Sequence, residues 1–151
     1  MKALAAVLAL TLSGVAHAQL AGVVVGVTDG DTIAVEIDRQ VINVDLRSVD
    51  APEVGQPYGA DARDSLAGLC DSKAIVLDEL GIDKERRIFG DVRCGGVDAG
   101  EEQVRRGMAW AKPRPGAPLR EMQAKARAEH KGLWSDAAPV PPWEWSAIFT
   151  R

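Results

Sequence analysis

The distribution of apolar and polar positions changes character along the chain. An almost unbroken apolar run, Ala3 to Leu12, follows the basic start Met1-Lys2 and ends near the small residues of Ala16-His17-Ala18. Short β-branched runs come next, at Ala21 to Val27, Thr32 to Ile37 and Val41 to Leu46, with Asp29-Gly30 and Asp38-Arg39 as turns between them. Ala74 to Leu80 (AIVLDEL) and Arg87 to Arg93 (RIFGDVR) read as two further strands around Gly81-Ile82-Asp83. Helical patterning occupies Ala60 to Leu69. It returns after the capping box Asp98-Ala99-Gly100-Glu101, ending at Gly107. A third helix is predicted over Leu119 to Lys131, with Leu119, Met122 and Ala126 on one face and Gly132 as its stop. The Pro- and Trp-rich tail from Asp136 to Arg151 is expected to lie over the body as an irregular segment.

Five short strands and about three helices suggest an α+β domain, mainly β, built as a partly open barrel of the OB type. At 151 residues the chain has room for one such domain. Residues 1–18 have the three-part layout of a secretory signal peptide. The domain would then span 19–135 and the tail 136–151, in a periplasmic or secreted protein with no membrane span in the mature chain. In an oxidising compartment Cys70 and Cys94 are expected to form a disulfide. Strand pairing points the same way: a hairpin centred near residue 82 pairs positions whose numbers sum to about 164, as those of the two cysteines do.

Composition narrows the chemistry. Apolar residues at 46% and charged residues at 26% describe a globular chain. Removing the leader takes away Lys2 and His17, so 17 basic against 22 acidic residues leave a net charge of -5 and His130 as the one histidine. That excludes a zinc site of the usual kind. There is no G-x-S-x-G elbow, P-loop or G-x-G-x-x-G. Any enzyme activity must therefore rest on carboxylates, arginines and an oxygen-ligated metal.

The carboxylates cluster. Asp29-Gly30-Asp31-Thr32 enters one strand, and Asp50-Ala51-Pro52-Glu53 follows another. Neighbouring strands would bring Asp31 and Asp50 to one end of the barrel, where hard oxygens suit Ca²⁺, or Mg²⁺ as second choice. Pro52 can aim the Ala51 carbonyl, and Glu53 stands one step away to deprotonate a water. Each motif alone also reads as structure, the first as a hairpin turn and the second as a helix entry. Arg105 and Arg106 read equally as a solvated helix face, and the four tryptophans as core and tail packing.

Together, VTDGDTIAV (27–35), VDAPE (49–53), QPYG (56–59), DKERR (83–87), VRRGMAW (104–110) and KGLW (131–134) resemble the staphylococcal nuclease family, and PPWEW (141–145) resembles the tail of its exported bacterial members. The resemblance implies a five-stranded OB barrel with three helices. It implies Asp31, Asp50 and the Ala51 carbonyl as Ca²⁺ ligands, with Asp29 behind them. Glu53 becomes the general base and Arg87 the cation on the phosphate. Lys84 matches a substrate contact, and Arg86 lies beside it.

Departures from the pattern matter as well. Asp45 stands where the family usually has a second arginine, a loss typically of about 10²–10⁵ in rate. Arg47, two residues on, is expected on the same strand face and able to reach back. Glu85, Pro113 and Pro115 replace family tyrosines. The net negative charge weakens general attraction to nucleic acid. Two readings follow: a Ca²⁺-dependent nuclease acting as a monomer on single-stranded or denatured DNA or RNA, with reduced activity, or a catalytically weak OB module that binds nucleic acid, metal or a protein.

Overall fold

The computed structural model describes residues 19–112 and 117–149. The leader (1–18), Pro113, Arg114, Pro115 and the chain end at Arg151 lie outside the described residues. Strands β1 (Leu20–Val27), β2 (Thr32–Ile37) and β3 (Gln40–Leu46) form an antiparallel meander. Asp38 and Arg39 both take positive φ, the backbone of a tight hairpin turn whose twist matches the strands. After the short β4 (Val49–Asp50) comes helix α1 (Gly59–Cys70). The hairpin β5 (Ala74–Ile82) and β6 (Ile88–Cys94) follows, with β7 (Val97–Asp98) at its edge. β1 pairs with β5, and β3 pairs in parallel with β6, so five strands close into the expected barrel. Val24, Ile33, Val35, Val44, Leu46, Ile75, Leu77 and Val92 fill its interior.

Three helices and a turn complete the domain. Helix α2 (Ala99–Arg105) is capped as expected, with the Asp98 carboxylate accepting from the Glu101 N–H at 2.9 Å. β8 (Trp110–Ala111) then pairs with β4. Helix α3 (Ala117–Ala128) stops three residues short of the expected end at Lys131, and Gly132 instead opens a 3₁₀ turn, Gly132–Ser135. The reason is a close crossing. A Cβ on Gly132 would collide with the Gly107 carbonyl, and one on Gly107 with that of Lys131, while the Leu133 N–H bonds the Gly107 carbonyl at 2.9 Å. Both glycines also need positive φ.

Two more expectations are corrected. The tail is not irregular throughout, because Pro142–Phe149 is helix α4. Proline breaks a helix from within but opens one at the first position, where its missing N–H is no loss. The β5–β6 hairpin is centred three residues later than expected. Ile75 pairs with Cys94 and Ile82 with Ile88, so the turn is Asp83–Arg87, and Gly81 stays within the strand. A Cβ on Gly81 would stand 2.5 Å from the Phe89 ring, so this glycine serves packing rather than turning.

The disulfide forms nonetheless, for a different reason. Cys70 ends α1, which lies against the barrel, and its Cα is 5.2 Å from that of Cys94 at the end of β6. The bridge ties helix to sheet across 24 residues of sequence. Replacing both cysteines by serine should lower unfolding free energy by about 3 kcal/mol, from freed loop entropy. Urea denaturation of the variant against the oxidised protein checks this, and the unfolded, unreduced protein should titrate no free thiol.

Candidate active site

The acidic turn between β1 and β2 is built by its own hydrogen bonds. The Asp29 carboxylate accepts from the Asp31 N–H at 3.1 Å, and the Thr28 N–H bonds the Thr32 carbonyl at 2.9 Å. Gly30 is buried between them, and a Cβ there would lie 2.6 Å from those of Ala51 and Ala62. Only glycine lets the turn sit this deep. Its carbonyl accepts from the side-chain amide of Gln103 on α2 at 2.7 Å. The same amide nitrogen donates to the Ala62 carbonyl of α1 at 2.9 Å, and Ser65 Oγ donates to Gln103 Oε1 at 2.7 Å. One wholly buried side chain thus joins two helices and the turn.

Asp31 reaches the second acidic motif directly, its Oδ2 accepting from the Ala51 N–H at 3.0 Å. Asp50 stands one residue earlier, in β4, opposite Trp110. Burial and the neighbouring Asp29 and Asp50 push the Asp31 carboxyl well above its ordinary value, against the pull of the Ala51 N–H. Burial raises Asp50 to about 6; Lys112 and Arg87 pull it down, and Glu53 and Asp29 push it up. Glu53 is exposed, with its backbone N–H held by Gln56 Oε1 at 3.2 Å. Gln56 in turn donates to the Val140 carbonyl, so the tail braces the Glu53 loop.

Among the described residues, no cluster of three or more His, Cys, Asp or Glu side chains could hold a metal ion. What the site offers is two partly buried carboxylates, Asp31 and Asp50, with backbone oxygen on the same segment. This oxygen-only set carries negative charge that burial penalises. It therefore fits a hard divalent cation completed by water, and does not fit zinc.

The cations lie beside this pair. Arg87, with a side chain 65% exposed, closes the β5–β6 turn. Its Nε donates to Asp83 at 2.8 Å, and its guanidinium lies 3.7 Å from Asp45. Asp45, paired with Thr32 across β2–β3, also accepts from the Thr32 hydroxyl at 3.1 Å. Arg47 follows β3, which ends at Leu46, and lines one groove with Asp45. Its guanidinium packs 5.1 Å from the Phe89 ring centre and 3.6 Å from Asp91. Lys84 is exposed in the β5–β6 turn, and Arg86 lines a recess with Asn43 and Asp45. Arg105 and Arg106 pair with Glu102 on α2, as a solvated helix face would. Trp110 and Trp134 pack edge to face in the core, and Trp143 leans on Trp110.

A sequence profile described as "Staphylococcal nuclease homologue" matches residues 43–136. The chain is 37% identical to a micrococcal nuclease of Shigella flexneri, over 96% of this chain and 91% of that protein. It is 36% identical to protein ParB of Escherichia coli, over 96% and 89%. It is 38% identical to an uncharacterized endonuclease of Escherichia coli, over 85% and 86%.

This chain belongs to the staphylococcal nuclease family.

Within this family member, sequence reasoning missed Gln103 and Gln56 as positioning groups. Gln103 carried a signal: it falls four residues after buried Ala99 and beside buried Val104, on the core-facing stripe of α2. Gln56 lies in the QPYG motif, but its bond to Val140, 84 residues away, had no local signal.

Two predictions follow from this geometry. Gln103→Leu should leave the Gly30 carbonyl buried without this donor, costing about 1–3 kcal/mol; chemical denaturation of wild type and variant measures it. The second concerns pH. The Asp50 carboxyl keeps its proton to about pH 6 when folded but to about 4 when unfolded. Its stabilising contribution is therefore complete below pH 4 and lost as pH rises through 6. In chelator, Tm should fall across this window, and Asp50→Asn should flatten the fall; a wild-type slope retained in the variant would place the titration elsewhere.

Proposed function

We propose that this family member is a metal-dependent nuclease that hydrolyses phosphodiester bonds in single-stranded or denatured DNA and RNA. The observation that carries the reading is the hydrogen bond from the Ala51 N–H to Asp31, which draws both acidic motifs into one site beside Arg87. Asp31, Asp50 and the Ala51 carbonyl would hold Ca²⁺, or less favourably Mg²⁺, with Asp29 supporting Asp31. A bound divalent cation supplies positive charge against the scissile phosphate and makes a neighbouring water more acidic.

The chain's own groups do the rest. Glu53 takes a proton from the attacking water as its oxygen bonds to phosphorus. The opposite P–O bond breaks, and the leaving oxygen takes a proton from solvent. The Arg87 guanidinium matches two equatorial oxygens as their charge grows, a contact worth about 10²–10³ in rate. To do so it must release Asp45 or Asp83. Lys84 and Arg86, on the same turn, are placed to follow the strand backbone. Arg47, held at Asp91 and Phe89, lines the groove edge rather than replacing the missing arginine. The disulfide supports export to a periplasmic or extracellular compartment, and we propose a monomer there. None of the described helices is long and apolar enough to cross a membrane.

One observation favours the weaker reading, a binding module: Arg87 lies between two carboxylates. Digestion of denatured DNA and of RNA across a Ca²⁺ titration separates the two. We expect Ca²⁺-dependent cleavage, lowered about 10²–10⁴-fold in Glu53→Gln. We also expect Ca²⁺ to raise Tm in wild type but not in Asp31→Ala. Binding without cleavage in wild type would leave the module reading.

A further inference from the structure

We infer that Lys112 is a substrate-binding cation of the groove that carries Asp45, holding a phosphate of the strand next to the one being cut. This rests on the nuclease reading above and assigns a residue that reading does not use.

The argument begins with the short ladder β4–β8. Val49 pairs with Ala111 and Asp50 with Trp110, and the pairing runs on through the Lys112 N–H to the Ser48 carbonyl at 2.8 Å. Lys112 thus follows β8 directly and lines the groove beside this ladder. Its charge acts on Asp50 more strongly than that of Arg87. An open groove of about 840 Å³ begins here, lined by Lys112, Arg47, Arg87, Phe89, Asp45 and Asp83.

The other two cations of this groove are committed. Arg87 is bound to Asp83 and Asp45, and Arg47 to Asp91 and the Phe89 face. Lys112 makes no hydrogen bond or ion pair through its side chain among the described residues. It is half-buried, and the bond from its N–H to the Ser48 carbonyl fixes where its side chain leaves the backbone. An open groove of this kind suits an extended single strand whose phosphates track the lysine. Asp45 thus does not leave the groove without a cation.

Anisotropy of a labelled single-stranded oligonucleotide of about ten nucleotides tests this in Ca²⁺, in a Glu53→Gln background that prevents cleavage. Lys112→Met should weaken binding about tenfold and lower the slope of log affinity against log salt by about 0.7, one phosphate contact. Lys112→Arg should retain the slope. Lys125→Met, which removes the same charge from exposed α3, should leave it unchanged. In the cleaving protein Lys112→Met should raise KM while kcat holds, the mark of a contact equal in ground and transition states. Lys112→Gln gives the same reading should Met disturb the fold, which circular dichroism reports. If wild type binds and cleaves but the slope is unchanged in Lys112→Met, this inference alone falls. A lowered kcat with unaltered slope would make Lys112 a positioning group for Asp50 and also overturn it. If wild type neither binds nor cleaves, the nuclease reading falls with it.

Discussion

The site depends on one buried amide. Gln103 is fully enclosed, and its side chain meets three partners on two segments: the Gly30 carbonyl in the acidic turn, and the Ala62 carbonyl and Ser65 hydroxyl on α1. A buried polar group with no partner would cost the fold dearly, so satisfied networks of this kind admit few alternative arrangements. Gly30 allows the acidic turn to descend to where the amide can reach it, and the disulfide fixes the far end of α1 to the barrel. The placement of Asp31 beside Ala51 follows from these constraints together. None of them involves a residue that touches substrate.

The charge of this region is arranged by place and not by sum. A chain with a net negative charge has no broad attraction for a polyanion. The groove nevertheless gathers Arg47, Arg87 and Lys112 against Asp45 and Asp83. Burial of Asp31 and Asp50 disfavours their charged forms, so in the proposed reaction they would favour a metal-bridged phosphate over a bare one. The arrangement separates two tasks. In the proposed reaction the acidic motifs would recruit positive charge, and the exposed rim of the groove would handle the strand.

Local signals identified most of the framework. The capping box at Asp98 to Glu101, the Asp38-Arg39 turn, the β-branched runs and the acidic motifs are each written within a few residues, because hydrogen bonds between near neighbours create them. Where local reading failed, a distant partner had intervened. Gly81 reads as a turn residue until the Phe89 ring is seen over it. Gly132 reads as a helix stop until it is found pressed against Gly107. The family resemblance carried Asp31, Asp50, Glu53 and Arg87 as a set, but a pattern of matched positions says nothing of what their neighbours do to them.

The sequence by itself therefore determined the barrel class, the acidic motifs and the cysteine pair. These rest on patterning of period two or 3.6, and on residue types with few chemical uses. Tertiary structure alone decided that Arg47 meets Asp91 and the Phe89 ring, that Arg87 lies between two carboxylates, and that Lys112 lines the groove beside them. The physical reason is the same in each case. A long cationic side chain can be oriented by any anion or ring within its reach, and which of these lie there is set by how strands and turns close on one another, a matter of pairing between residues remote in the chain.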